Sequence, residues 1–210
     1  MATKLRGASG FVPEHPTLPR LRGAAQSCQG CDLYLHATQA VLGEGPSAAD
    51  LVLIGEQPGN DEDLAGRPFV GPAGHLLDRA LQEAGIDRRR VYITNAVKHF
   101  KFEERGKRRI HKKPSAGEVR ACHPWLQAEL EIVKPAIIGC LGATAAQSIL
   151  GNEFRLTKDR GRPIEHPPHG TVVATVHPSA ILRAPDPEQR ETAYAQFVED
   201  LKAIRRLLGT

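Results

Sequence analysis

Apolar residues in this chain fall into four short runs separated by longer amphipathic stretches. The runs cover residues 51–54, 91–94, 136–141 and 172–176, each bounded by Gly, Pro or polar turn residues. They are aliphatic or β-branched almost throughout, the pattern of strands buried on both faces of a parallel sheet. Between the runs the apolar period lengthens from two to nearly four. Gly71-Pro72-Ala73 opens a helix with Leu76, Leu77, Ala80, Leu81 and Ala84 on one stripe and Gly85 at its end. Ser115-Ala116-Gly117-Glu118 is a capping box, followed by Val119, Cys122, Leu126, Leu130 and Val133. A short helix over residues 143–150 ends at Gly151, and a last one over 187–208 turns Tyr194, Phe197, Leu201, Ile204 and Leu208 inward. Strands alternating with helices predict a three-layer α/β/α domain around a central, mainly parallel four-stranded sheet.

In such sheets, sites form at the carboxyl ends of strands. Gly55-Glu56-Gln57-Pro58-Gly59 follows the first run, and two glycines and a proline there allow a tight turn with backbone amides near a ligand. Asn95 follows the second run, and its amide presents one donor and one acceptor edge. His177-Pro178-Ser179 follows the fourth, an imidazole on a stiff backbone. The third run ends in Cys140-Leu141-Gly142, with no evident chemistry. Phe69, in Gly66-Arg67-Pro68-Phe69-Val70-Gly71-Pro72, can stack on a ring or fill the core. Taken singly, each has an ordinary reading as turn, cap or core. Together they place a carboxylate, two amides, an aromatic ring and an imidazole at one sheet edge, which is the equipment for gripping an extruded base.

Charge sharpens that reading. Between Lys98 and Lys113 eight Lys or Arg oppose only Glu103 and Glu104, a local charge of +6 in a chain whose total is +4. A polyanion partner or a solvated loop both suit such a run. With 210 residues the chain buries about 70% of its unfolded surface without covalent staples. Residues 1–20 carry Pro13, Pro16 and Pro19 and little periodicity, so they read as a flexible arm before a single domain over 21–210. No apolar run spans a membrane, and the N-terminus has no apolar centre of the signal-peptide kind. The expectation is a cytoplasmic monomer that touches no membrane. In a reducing cytosol Cys28, Cys31, Cys122 and Cys140 are free of disulfides, and the Cys28–Cys31 spacing lets two thiolates face one metal.

The segments Gly55–Gly59, Glu62-Asp63, Gly66–Gly74, Ile93–Lys98 and Val176–Ser179 resemble, in order, the motifs of the uracil-DNA glycosylase superfamily, most closely its iron–sulfur family 4. The resemblance covers roughly residues 24–208. The extended basic loop 100–113, with Lys107-Arg108-Arg109-Ile110-His111, is similar to the UdgX group, whose members end bonded to the DNA sugar through this histidine.

That resemblance implies a glycosylase acting on uracil-containing DNA, with single strands preferred because no pairing energy opposes extrusion. It implies a pocket of Gly55, Gln57, Asp63, Phe69 and Asn95 around uracil, with His177 facing the charge that develops on the leaving base. It gives His111 as nucleophile, with Glu56 its partner, and DNA contacts from Lys107, Arg108, Arg109, Ser179 and Arg183. Arg109 on this reading holds either a phosphate or the loop itself. It also implies a 4Fe–4S cluster on Cys28, Cys31 and Cys122, with His99 where family 4 has cysteine. Cys140 competes for the fourth position, and zinc could use the same ligands. The alternatives are an ordinary multiple-turnover family 4 enzyme and a metal-clipped DNA-binding module without catalysis.

Overall fold

The computed structural model describes residues 5–167 and 169–209, so residues 1–4 of the expected arm lie outside it. Helix α1 (Leu18–Ala25) comes first, then β1 (Leu51–Gly55), α2 (Asn60–Ala65), α3 (Pro72–Ala84) and β2 (Val91–Asn95). A hairpin of β3 (Phe102–Arg105) and β4 (Arg108–His111) leads to α4 (Ala116–Val133). The chain continues through β5 (Ile137–Leu141), α5 (Ala143–Leu150), α6 (Leu156–Asp159) and β6 (Pro163–Glu165). It closes with β7 (Thr171–Thr175), α7 (Pro178–Leu182) and α8 (Pro187–Leu207).

The main sheet runs β2-β1-β5-β7-β6. The first four strands are parallel and β6 pairs antiparallel with β7. The expected four-stranded sheet is therefore corrected to five strands. The added strand has three residues, starts at Pro163 and contributes only Ile164 as an apolar side chain. A short, proline-started edge strand leaves no apolar run to read.

Alternation along the strands builds the three layers. Leu51, Leu53, Ile137, Leu141 and Val173 face one way and pack with Leu77, Leu81, Phe197 and Leu201 of α3 and α8. Val52, Ile54, Ile138, Cys140, Val172 and Ala174 face the other way, against Leu126 and Leu130 of α4 and Ala145 and Ala146 of α5. The four helices read from the sequence, α3, α4, α5 and α8, begin and end within a residue or so of where it predicts, whereas α1, α2, α6 and α7 have no counterpart in that reading. Pro72 starts α3, and Gly85 ends it in the left-handed region at φ 74°. At α4 the Ser115 hydroxyl accepts from Glu118 N at 3.2 Å, and Ser115 N donates back to Glu118 Oε2 at 2.6 Å.

A third cluster joins α1 and α4 around Cys28, Cys31, Cys122 and Trp125. Ahead of α1, the amides of Arg6 and Gly7 both donate to Gly30 O at 2.9 Å, and that of Ala8 to Ala121 O at 2.8 Å. Among the described residues no helix is long and apolar enough to cross a membrane.

Leu53 has no exposed surface and lies between the sheet and α8. Leu53→Ala is expected to cost about 2–5 kcal/mol by loss of transfer energy and cavity formation. Urea denaturation checks this as a lowered midpoint; an unmoved midpoint would take Leu53 out of the core.

Candidate active site

A cleft of about 820 Å³ opens at the carboxyl ends of the parallel strands, between the loops after β1 and β7 and the β3–β4 hairpin. Its floor is set by one absent side chain. Gly55, the last residue of β1, pairs with Asn95 at the end of β2. A Cβ on Gly55 would lie 2.3 Å from Asn95 Oδ1 and 2.7 Å from the Phe69 ring, so glycine alone lets both approach. Phe69 holds φ at 55°, a left-handed conformation costly for an aromatic residue. Gly74 makes room for it, because a Cβ there would sit 1.8 Å from Phe69 O. The Glu62 carboxylate ties the turn, accepting from Gly71 N at 2.8 Å and Gly59 N at 3.0 Å.

Asn95 is 2% exposed and its Oδ1 has no hydrogen-bond partner. Leaving a buried acceptor unpaired costs about 1–3 kcal/mol. It lines the cleft, so a ligand that brings a donor recovers that cost.

His177 forms the wall beside Phe69, with ring centroids 5.9 Å apart. Ser179 N donates to His177 Nδ1 at 3.1 Å, so the neutral ring carries its proton on Nε2. Burial pushes the His177 pKa down to about 4, helped by the positive charge of Arg183. The ring is therefore a neutral N–H donor at pH 7. Arg183 lies exposed at the cleft rim.

The expected basic loop is folded into the β3–β4 hairpin and forms the roof. Arg109 fastens it. Its guanidinium donates to Asp63 Oδ2 at 2.6 Å and Asn60 Oδ1 at 2.9 Å and covers the Phe102 ring at 5.0 Å. This bears on two expected roles. Asp63 is fully buried, its carboxylate accepts from Arg109 and from Thr38 N, and it braces the hairpin rather than lining the cleft where the sequence reading put it. Of the two roles expected for Arg109, these contacts are those of the residue that holds the loop. Gln57 also lines the cleft, but its amide is engaged by the hairpin: Nε2 donates to Lys101 O and Lys112 O, both at 3.1 Å, and Oε1 accepts from Lys101 N at 3.2 Å. Lys107 and Arg108 are exposed at the hairpin.

His111, on the cleft side of this roof, brings Nε2 to 3.4 Å from Glu56 Oε1. Burial lowers its pKa against the opposing pull of Glu56, so the imidazole is neutral at pH 7. The third strand end, which shows no chemistry in the sequence, supplies Thr144, whose hydroxyl donates to Glu56 Oε2. That leaves Oε1 for His111. A lone threonine two residues past a glycine has no sequence signal for this role.

Cys28, Cys31 and Cys122 gather in the pocket between α1 and α4 and are nearly buried. Trp125 Nε1 donates to Cys28 Sγ and Lys98 N to Cys122 Sγ, both at 3.2 Å. His99 follows Lys98 directly and is buried, its pKa pushed down to about 4 by desolvation. Cys140 lies in β5 with the opposite core cluster, paired with Ile54. Among the described residues no three His, Cys, Asp or Glu side chains stand close enough to hold a single metal ion.

The model of the uracil DNA glycosylase superfamily matches residues 42–202. The chain belongs to the uracil DNA glycosylase superfamily. It is 41% identical over 184 residues to a type-4 uracil-DNA glycosylase of Thermotoga maritima, covering 87% of this chain and 90% of that protein. To the type-4 enzyme of Archaeoglobus fulgidus it is 39% identical over 191 residues, covering 87% and 89%. A type-5 uracil-DNA glycosylase of Thermus thermophilus is 28% identical over 186 residues, with 80% of each chain covered.

In this member of the superfamily the roof stands on Arg109. A hydrogen bond to a charged partner is worth about 1.5–3 kcal/mol. Arg109→Ala is therefore expected to make hairpin opening about tenfold or more easier, since each 1.4 kcal/mol is a factor of ten. Trypsin cleavage after Lys107 and Arg108 should accelerate by that factor. Unchanged cleavage would mean that Gln57 alone holds the hairpin.

Proposed function

We propose that this chain excises uracil from DNA and that His111 then bonds to the sugar it leaves behind. The observation that carries the first half is the unpaired, buried Asn95 Oδ1 beside the strained Phe69 ring. Uracil offers an N3–H donor and an O4 acceptor, so the Asn95 amide can take both while Phe69 stacks on the ring. The type-4 names of the relatives support the same substrate.

Cleavage breaks the C1′–N1 bond, and its electron pair leaves with uracil. Charge develops on the base, and the neutral His177 N–H is the donor available to stabilise it at O2. The sugar becomes an oxocarbenium cation. The unprotonated ring nitrogen of His111 then donates its lone pair to C1′, and the departing uracil anion takes a proton from water. Glu56, 3.4 Å from His111 Nε2 and fixed by Thr144, balances the charge of the alkylated ring. A nitrogen held on an anchored roof has a large effective-molarity advantage over water. Lys107, Arg108, Ser179 and Arg183 remain our candidates for DNA contact, Arg183 being on the cleft rim. Single strands are the preferred substrate on this reading, since extrusion from them breaks no pair. We further propose that the enzyme acts as a monomer in the cytoplasm.

An ordinary multiple-turnover reaction is the second reading, and identity to the type-4 enzymes favours it. The two differ only in what captures the cation. His111→Ala is expected to abolish an adduct that survives SDS and heat, yet still release uracil and turn over repeatedly. A His111→Ala protein that still bonds to DNA places the nucleophile elsewhere. A wild-type protein that releases uracil without an adduct leaves the multiple-turnover reading standing.

The residues of the cysteine pocket fit a 4Fe–4S cluster. Three buried sulfurs cluster together and two of them, Cys28 and Cys122, accept an N–H donor, as cluster thiolates do. Cys28, Cys31, Cys122 and His99 would hold it. The cluster would act as a crosslink between the segment before β1 and α4, outside the reaction. Cys122→Ala is expected to lose broad visible absorbance and bound iron, while Cys140→Ala keeps both. Zinc without iron in the purified protein would refute the cluster.

A further inference from the structure

A buried ion pair lies beneath the cleft. Lys98 and Glu129 are each 1% exposed, and Lys98 Nζ meets Glu129 Oε2 at 2.5 Å. Glu129 also accepts from Tyr92 Oη at 2.9 Å, Gly43 N at 2.7 Å and the Thr94 hydroxyl. Burying an ion pair rarely gains stability over apolar residues of the same shape, so stability alone gives little account of it.

Its remaining contacts suggest one. Lys98 Nζ donates to Asn95 O at 2.6 Å and to Thr94 Oγ1 at 2.8 Å. The same residue's backbone N–H holds Cys122 Sγ at 3.2 Å. Asn95 ends β2, and Ala96 N and Val97 N return to Gly55 O and Glu56 O at 2.9 and 3.0 Å. One residue thus grips the base-reading end of β2 from below, while its own backbone is fixed to the cysteine pocket.

We infer that Lys98 is a positioning residue for Asn95. Its ammonium fixes the Asn95 carbonyl and so the direction of the amide that faces the cleft. This rests on Asn95 reading uracil. An unpaired amide can rotate toward any nearby donor, and it keeps its acceptor free only if its backbone is held. The ion pair supplies that hold, with Glu129 neutralising the ammonium that the hold requires.

The test is a double-mutant cycle in the whole 210-residue chain as purified. Lys98→Met alone strands the Glu129 charge and threatens folding, so it is paired with Glu129→Gln, which removes both charges and keeps an acceptor for Tyr92 and Gly43. The readouts are single-turnover uracil release from a single-stranded oligonucleotide, its KM, and the thermal midpoint. The paired variant should lose about 10- to 100-fold in release rate, the scale of a sub-ångström to ångström misplacement. KM should stay within about twofold, because phosphate contacts lie elsewhere. Added to Asn95→Ala, the pair should cost no further rate. An equal loss with and without Asn95 overturns the inference and leaves base reading intact. A full release rate in Asn95→Ala overturns base reading and the inference with it. A fall in midpoint without a fall in rate shows a purely structural ion pair and also overturns it.

Discussion

An acceptor without a partner governs this structure. Asn95 Oδ1 is buried at the floor of the cleft and has no hydrogen-bond partner among the described residues. Such an atom survives only where its neighbours cannot move to satisfy it, and each neighbour here is constrained. Gly55 clears the space, Phe69 sits in a left-handed turn permitted by Gly74, and Glu62 pins two amides of that turn. The strain is local, and the apolar sheet beneath supplies the stability that tolerates it. In a protein only marginally stable, about 1–3 kcal/mol left unrecovered at one atom is a substantial cost. A ligand with an N–H beside a carbonyl repays it.

The roof follows the opposite rule, since every polar group that holds it is paired. Arg109 meets Asp63 and Asn60, and Gln57 meets both hairpin ends. On its cleft side His111 is left half free, 49% exposed in its side chain and poised near one oxygen of Glu56. Floor and roof therefore divide the work by hydrogen-bond satisfaction. The rigid, unsatisfied floor is open to a ligand's donor, and the rigid, satisfied roof holds an imidazole over it.

The four central strands were legible because strands buried on both faces must be apolar throughout, which leaves an unbroken run in the sequence. The three strand ends bearing Glu56, Asn95 and His177 were legible too, since parallel topology puts them on one edge. Strand β6 escaped because an edge strand of three residues needs no apolar run. Asp63 was given to the base and braces the hairpin, and Gln57 lines the cleft as expected while its amide is also engaged by the hairpin. Their side chains are polar in either role, and only the direction of the turn decides which partner they meet. Thr144 was invisible for a similar reason: its partner is 88 positions away in sequence, and nothing around it marks a site.

The basic segment shows how far charge counting carries. Its local +6 suggests a broad phosphate-binding surface. Yet Lys98 is paired with Glu129, Lys101 with Glu118 and Arg109 with Asp63, all carboxylates outside the segment. Those three pairs reduce the effective charge from +6 to +3. Arg105 and Lys112 share Glu103 in exposed pairs, which are worth about 0–1 kcal/mol and exchange readily with a phosphate. Lys107, Arg108 and Lys113 carry no ion pair among the described residues. Each phosphate neutralised on a single strand contributes about 0.7 to the salt slope. A hairpin of net +3 thus has about half the electrostatic reach that its sequence advertises. The other half fixes the roof and the floor, so in this fold one run of lysines and arginines both presents positive charge at the hairpin and builds the cleft beneath it.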